Sequence, residues 1–247
     1  MSVALLVALP GVAAAQRVEL EGRVWFPAVT AEAKIEGGSL RGTALDFERD
    51  LGIDEPPLAD LRLSVFTGPN SKLRLAYTLA RYEGDAILGR SIEFNGALYP
   101  AATRVVSELD VHYVRLGWIW QPALLPDTLR LGPVLEAKAF VTEATLEAPA
   151  TSPRLRETER LAVVIPTIGL ALDLSPHRMV DLFAEVSGLT IGAPGHVVDA
   201  EAGVRITLNK LLAITGGYRF FDVHGEEGHS FARLRLAGPF LGARLRF

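Results

Sequence analysis

From Val18 onward, apolar side chains recur at every second position, and this alternation organises nearly the whole chain. Val18, Leu20, Val24 and Phe26 alternate with Glu19, Glu21, Arg23 and Trp25. The same period of two runs through Leu61–Phe66, Leu73–Leu79, Leu129–Val141, Ile168–Asp173, Val180–Ser187, Val198–Leu208, Leu212–Phe221 and Leu241–Phe247. A further strand over Arg104–Gln121 changes parity part-way. Leu109, Val111 and Tyr113 hold one phase, and Val114, Leu116, Trp118 and Trp120 the other, so a β-bulge near Tyr113 is expected. The pattern predicts ten strands.

The connections fall into two populations. Gly68–Ser71, Gln121–Asp127, Ser175–His177 and Asn209-Lys210 are short, whereas those at about 28–57, 84–103, 148–156, 191–197 and 225–229 are generally longer and richer in Gly and charge. Short and long alternate strictly. In an antiparallel meander this puts all short turns on one rim and all longer loops on the other, as in barrels of the bacterial outer membrane. The expected fold is therefore all-β, a closed antiparallel up-and-down transmembrane β-barrel of about ten strands, with eight as the alternative.

A soluble β-sandwich also alternates, but three features weigh against it. Thr128–Leu146 and Ser230–Phe247 are far longer than the roughly 5–6 residues of a soluble strand. One parity is densely charged within spans whose other parity is almost pure Leu, Val, Ile and Ala. Aromatics gather near strand ends, at Trp25-Phe26, Tyr82, Trp118, Trp120, Phe220-Phe221, Phe240 and Phe247, which suggests interfacial girdles.

Composition sharpens this. The 247 residues are 49% hydrophobic and 22% charged, yet no apolar run reaches the roughly 18 residues of a spanning helix. The longest candidates are Val3–Ala15 and Leu161–Leu172, the latter interrupted by Pro166, Thr167 and Gly169. With a mean hydropathy of +0.25 and no spanning helix, the apolar half must be spread through strands. Absence of Cys excludes disulfides, cysteine metal sites and thiol catalysis. A net charge of −4 argues against a nucleic-acid partner. Met1–Ala15 is apolar and ends in Ala13-Ala14-Ala15 before Gln16, the pattern of a cleaved secretory leader. Residues 1–15 are thus expected to be a signal peptide and 16–247 a single barrel domain.

The charged parity supplies the candidate chemistry. Arg23, Arg62, Arg74, Arg130, Glu136, Lys138, Glu185, Glu201, Arg205 and Arg219 are expected to line the lumen. Glu19, Glu21, Asp173, Asp181, Asp199, Arg244 and Arg246 share that parity. Both signs occur in quantity, so they can pair across a narrow lumen. Two readings follow: a charge-laced plug that holds the barrel rigid, or a narrow passive pore whose selectivity Arg and Glu set. Neither a metal nor a cofactor is expected. His112, His177 and His196 lack partners at metal-ligand spacing, and Asp46–Asp54 lacks the Gly and spacing of a calcium loop. Gly37-Gly38 and Gly216-Gly217 are turn or close-approach glycines, since no helix follows either. His229 and Ser230 are adjacent and should face opposite sides of a strand, poor geometry for a nucleophile and its base. At the long-loop rim, Glu83 and Asp85 end the third strand while Asp222 and His224 end the ninth.

These features carry resemblances. Leu241-Gly242-Ala243-Arg244-Leu245-Arg246-Phe247 resembles the terminal strand of Gram-negative outer-membrane proteins, which ends in Phe with apolar residues at alternate preceding positions. The resemblance implies that Leu241, Ala243, Leu245 and Phe247 form the signal read by the barrel-assembly machinery. The layout, with Gly217-Tyr218-Arg219-Phe220 and Gly238-Pro239-Phe240-Leu241-Gly242, is similar to small OmpA/OmpW-type barrels. Leu45–Gly52 resembles an acidic first-loop segment seen in some of them. Such relatives commonly have eight strands. The likeness implies an outer-membrane location and contact with membrane lipid and lipopolysaccharide, but it brings no catalytic motif. The expected function is structural, or a narrow passive pore for small solutes. The rim residues Glu83, Asp85, Asp222 and His224 resemble the arrangement of omptin proteases, where such groups activate a water. The alternative is therefore a barrel-rim hydrolase, either omptin-like or lipid-modifying.

Overall fold

The computed structural model of the chain describes residues 17–34, 45–46, 56–151, 154–190, 195–227 and 230–247. Expectations that fall on Met1–Ala15, Gly37-Gly38, His229 and most of the acidic first-loop segment lie outside the described residues.

Ten antiparallel strands follow one another around a closed ring. They are β1 (Val18–Trp25, continued after Phe26-Pro27 by Ala28–Lys34), β2 (Leu58–Phe66), β3 (Ser71–Ile87), β4 (Arg104–Trp120) and β5 (Leu129–Ala148). Then come β6 (Leu155–His177), β7 (Val180–Thr190), β8 (Gly195–Thr207), β9 (Leu212–Glu227) and β10 (Ser230–Arg246). Each pairs with its sequence neighbours, and β1 pairs with β10 to close the ring, Glu19 opposite Arg246 and Trp25 opposite Phe240. Ten strands, not eight, is the observed number.

The closing seam keeps one register across Pro27, because Ala28 sits opposite Ala237 just as Trp25 sits opposite Phe240. Proline cannot donate to the ladder there. Gly238 lets the backbones approach, since a Cβ on it would stand 1.9 Å from the Phe26 carbonyl oxygen. The Trp25 indole N–H donates to the Gly238 carbonyl at 3.1 Å and fastens the seam from within.

Alternation sorts the faces as expected. On β3 Leu73, Leu75 and Tyr77 point outward and are 37–46% exposed, whereas Arg74 and Thr78 are buried inside. Leu61, Leu116, Leu135, Ile168, Leu170, Val186, Ile206, Tyr218 and Leu241 extend this exposed apolar belt around the ring. A belt of that extent is incompatible with water and matches hydrocarbon. No helix among the described residues is long and apolar enough to cross a membrane. Towards the long-loop side the same outward parity becomes charged and pairs across strands: Arg81 with Asp110 at 2.8 Å, Arg104 with Asp85 at 2.9 Å and Arg160 with Glu143 at 2.9 Å. Here the strands leave the lipid. β5 and β6 run on for 20 and 23 residues, well beyond what hydrocarbon requires.

Two expectations are corrected. β4 pairs with β3 from Ser71–Trp120 to Ile87–Arg104 and with β5 from Val134–Ile119 to Glu147–Val106, in each case without a register shift, so there is no bulge near Tyr113. Tyr113 instead faces inward on the same parity as Arg115. The strand looked out of phase because the lumen itself is apolar at that height. The girdle reading also fails in part. Phe26, Trp118, Trp120 and Phe247 face outward, but Trp25, Tyr82, Phe221 and Phe240 are buried inside the barrel.

On the long-loop side a small hairpin, Ile92–Phe94 with Ala97–Tyr99, packs with Leu88, Val105, Leu146 and Ala148. The buried Tyr99 hydroxyl donates to the Leu146 carbonyl at 2.8 Å, and burial pushes this phenol up to about 12.

The belt generates a direct test. Leu75→Arg places a cation in the middle of the apolar face and should destabilise the bilayer-folded protein by about 2–4 kcal/mol. The measurement is equilibrium unfolding in denaturant from lipid vesicles.

Candidate functional site

The interior is layered. Its middle layer is an ion network in which strands from opposite walls meet. Arg62 on β2 reaches across the barrel to Glu201 on β8 with two hydrogen bonds of 2.7 Å, a fork on a carboxylate. Arg23 on β1 adds two more to the same carboxylate at 3.2 Å and donates to Glu21 at 2.6 Å. Arg219 on β9 grips Asp199 through bonds of 3.0 and 2.8 Å, and Lys138 on β5 approaches the same group at 3.2 Å. Arg74 on β3 joins Glu136 at 2.7 Å and Glu185 at 2.8 Å. Asp60 receives Arg62 at 2.6 Å and Arg115 at 2.9 Å. Arg244 closes the seam side on Glu21 and Glu19. Neutral donors complete the carboxylates: Thr78 on Asp60, Tyr113 on Asp199 and Ser187 on Glu136.

These groups are deeply buried; Lys138 is 0% and Arg219 2% exposed. An isolated charge there would cost several kcal/mol, so pairing is what makes the layer tolerable. Gly117 makes the room for it: a Cβ at that position would stand 3.0 Å from Glu136 Cγ.

Above the network, towards the long loops, lies an apolar layer of Trp25, Leu58, Ala80, Tyr82, Tyr113, Val197, Phe221, Leu236 and Phe240, while Phe183 of the same cluster reaches down towards Arg205. Tyr113 stacks on Phe140 with centroids 4.4 Å apart, and Phe221 packs against both. The layers are joined by cation–π contacts, with Arg219 4.7 Å above the Trp25 ring and Arg23 4.5 Å above Phe240. Gly217, opposite Gly203 on the inner wall, is the close-approach glycine expected: a Cβ there would stand 2.3 Å from the Ala202 carbonyl oxygen and 2.8 Å from the Phe240 ring.

Below the network, at the short-turn end, the lumen opens into a vestibule of about 640 Å³. Its walls carry Arg17, Lys72, Arg130, Arg178, Arg205, Arg244 and Arg246 against Glu19, Asp127, Asp173 and Asp181. A small cavity of about 30 Å³ lies between the vestibule residues Lys72 and Arg205 and the network residues Arg23, Arg62 and Arg74.

No family model matches the sequence, and no curated protein matches it either. Among solved structures, the outer membrane protease OmpT of Escherichia coli is similar over 97% of this chain and 99% of its own, at 8% identity with a TM-score of 0.60. The translocator domain of the autotransporter NalP from Neisseria meningitidis is similar over 94% of this chain and 88% of its own, at 11% identity and TM-score 0.48. Ail of Yersinia pestis covers 94% and 99%, at 12% identity and TM-score 0.38. The fold is that of the outer-membrane β-barrels. At such identities the likeness is one of fold alone.

The structure brings together most of the expected lumen residues. Arg23, Arg62, Arg74, Glu136, Lys138, Glu185, Glu201 and Arg219 form the network, while Arg205 lies just below it in the vestibule wall. Arg130 is the exception. It is exposed at the mouth and donates to the Pro69 carbonyl at 3.0 Å. Asp60 and Arg115 were missed, although each continues an inward parity, Asp60 before Arg62 and Arg115 between Val114 and Leu116.

The rim constellation is not assembled. Glu83 and Asp85 lie on the outward parity of β3, beyond Leu79 and Arg81, and both are exposed. The Arg104 hydrogen bond holds the Asp85 carboxyl below its ordinary value. Asp222 and His224 lie on the outward parity of β9, with β10, β1 and β2 separating them from the other pair. Asp222 is covered by Arg235 at 2.7 Å and lies 3.5 Å from His196, while His224 bonds Glu226 at 2.9 Å. The physical reason is depth: the outward parity turns polar where strands emerge from lipid, so both pairs mark that boundary on the outside.

Glu201 offers a test. Glu201→Ala strips the partner from two buried guanidinium groups and should destabilise the folded barrel by about 3–5 kcal/mol. Arg160→Ala, which breaks an exposed pair, should change stability by less than about 1 kcal/mol in the same unfolding titration.

Proposed function

We propose that the protein is a barrel of the outer membrane whose lumen is closed at rest, serving as a rigid membrane-embedded scaffold and not as an open pore. The observation that carries this reading is the double closure of the lumen by the paired ion network and the aromatic layer above it. A solute would have to displace both, leaving buried charges unpaired. Of the two lumen readings, plug and passive pore, this geometry supports the plug. The apolar belt supports residence in a bilayer, with lipid and lipopolysaccharide as its surroundings. Leu241 and Leu245 face outward on the last strand and Phe247 follows it, which suits presentation of Leu241, Ala243, Leu245 and Phe247 to the assembly machinery. Export through a cleaved leader at residues 1–15 completes the reading.

Purified protein reconstituted in planar bilayers is expected to show no steady unitary conductance at neutral pH, and liposomes carrying it should not swell in small sugars. Ohmic conductance steps from the wild-type chain would overturn the closed-lumen reading.

A further inference from the structure

The vestibule has a surplus of positive charge in a chain whose net charge is −4. We propose that it is a binding site for small polyanions, molecules carrying two or more phosphate or carboxylate groups. The site does not depend on whether the lumen above it conducts.

Arg205 is the anchor. It is 8% exposed, its approaches to Asp173 and Asp181 are long at 3.6 and 3.5 Å, and its Nε has no hydrogen-bond partner. Both carboxylates are served by neutral donors, Gln121 at 2.9 Å and Ser175 at 2.6 Å. The guanidinium is therefore only loosely engaged, with long ion pairs at its terminal nitrogen and a buried Nε that has no partner, while the residue lines the cavity. The Lys72 side chain makes no hydrogen bond or close ion pair among the described residues; Asp173 acts on it only through space, and its ammonium lies 6.0 Å from the Phe66 ring centre. Arg178, on the turn between β6 and β7, is exposed and unpaired among the described residues. Arg130 uses one N–H on a backbone carbonyl and presents the rest.

The contrast with the network above is chemical. There guanidinium groups meet carboxylates at hydrogen-bonding distance; here Arg17, Arg244 and Arg246 share Glu19, Arg205 has only long ion pairs, and Arg130 and Arg178 have no carboxylate partner among the described residues. Guanidinium forks match the geometry of phosphate and carboxylate, and low-dielectric walls concentrate their field. A cavity of about 640 Å³ is of the size that holds a small ligand, and its walls are mostly strand ends held by the ladder. A neutral solute would leave the donors unmatched, and one monovalent anion would offset only part of the surplus.

The test is titration calorimetry of the detergent-folded protein with inorganic pyrophosphate at low salt, with inorganic phosphate in parallel. Pyrophosphate should bind at least about tenfold more tightly than phosphate, and its affinity should fall as salt rises. Lys72→Gln and Arg178→Gln should each weaken pyrophosphate by about tenfold while heat-modifiable gel migration is retained. Arg160→Gln, at the opposite end of the barrel, should bind like wild type. Arg178 sits on an exposed turn, so its variant keeps the test readable should Lys72→Gln misfold. Absence of pyrophosphate binding to the wild type would overturn the proposal. So would equal affinity in wild type and Arg178→Gln, or an equal loss in Arg160→Gln.

Discussion

A strand in hydrocarbon has no water to satisfy its backbone N–H and C=O groups, so a neighbouring strand must take them on each side. In this chain the demand is met only because β1 and β10 find each other, 223 residues apart at the pair Glu21–Arg244. Everything else depends on that closure. It gives the sheet an inside and an outside, and it turns a period of two in the chain into two solvents. At the seam Pro27 removes a ladder donor, and Gly238 and the Trp25 indole hold the two strands close there.

Once the ring is closed, ten strands bring opposite walls within reach of two long side chains. Arg62 and Glu201 span that gap directly. The interior can then hold many charges, provided each finds a counter-charge or a neutral donor. That condition is met in the middle layer and relaxed in the vestibule, where Arg205 is incompletely engaged. Above, aromatic rings replace ions, and cation–π contacts bridge the two chemistries. The lumen is thus three environments stacked along one axis. The middle and upper layers lie between the vestibule and the long-loop side.

Much of this was legible in the chain and some was not. Strand number, the alternation of short and long connections, and the inward parity of Arg23, Arg62, Arg74, Glu136, Lys138, Glu201 and Arg219 follow from period two and turn chemistry. Polarity does not reveal the parity of Tyr113 and its strand, because an apolar lumen layer makes both faces look alike. Trp25, Phe221 and Phe240 are ambiguous for the same reason: an aromatic near a strand end can serve a girdle or a plug. Glu83, Asp85, Asp222 and His224 share a rim in the chain's layout but lie outside the barrel, on two well-separated strands. Their parity, continued from Leu79 and Tyr218, held that information.

The sequence by itself determined which side chains could face lipid and which could not, because alternation is a local property of extended backbone and hydropathy reads it directly. It also determined the sense of the meander, through loop lengths. Only the tertiary structure decided which charges meet. Arg62 with Glu201, Arg74 with Glu185 and Arg219 with Asp60 are joined by the curvature and stagger of the ring, across as many as 159 positions. Pairing across a lumen depends on the three-dimensional distance between walls, and no local pattern along a strand encodes it.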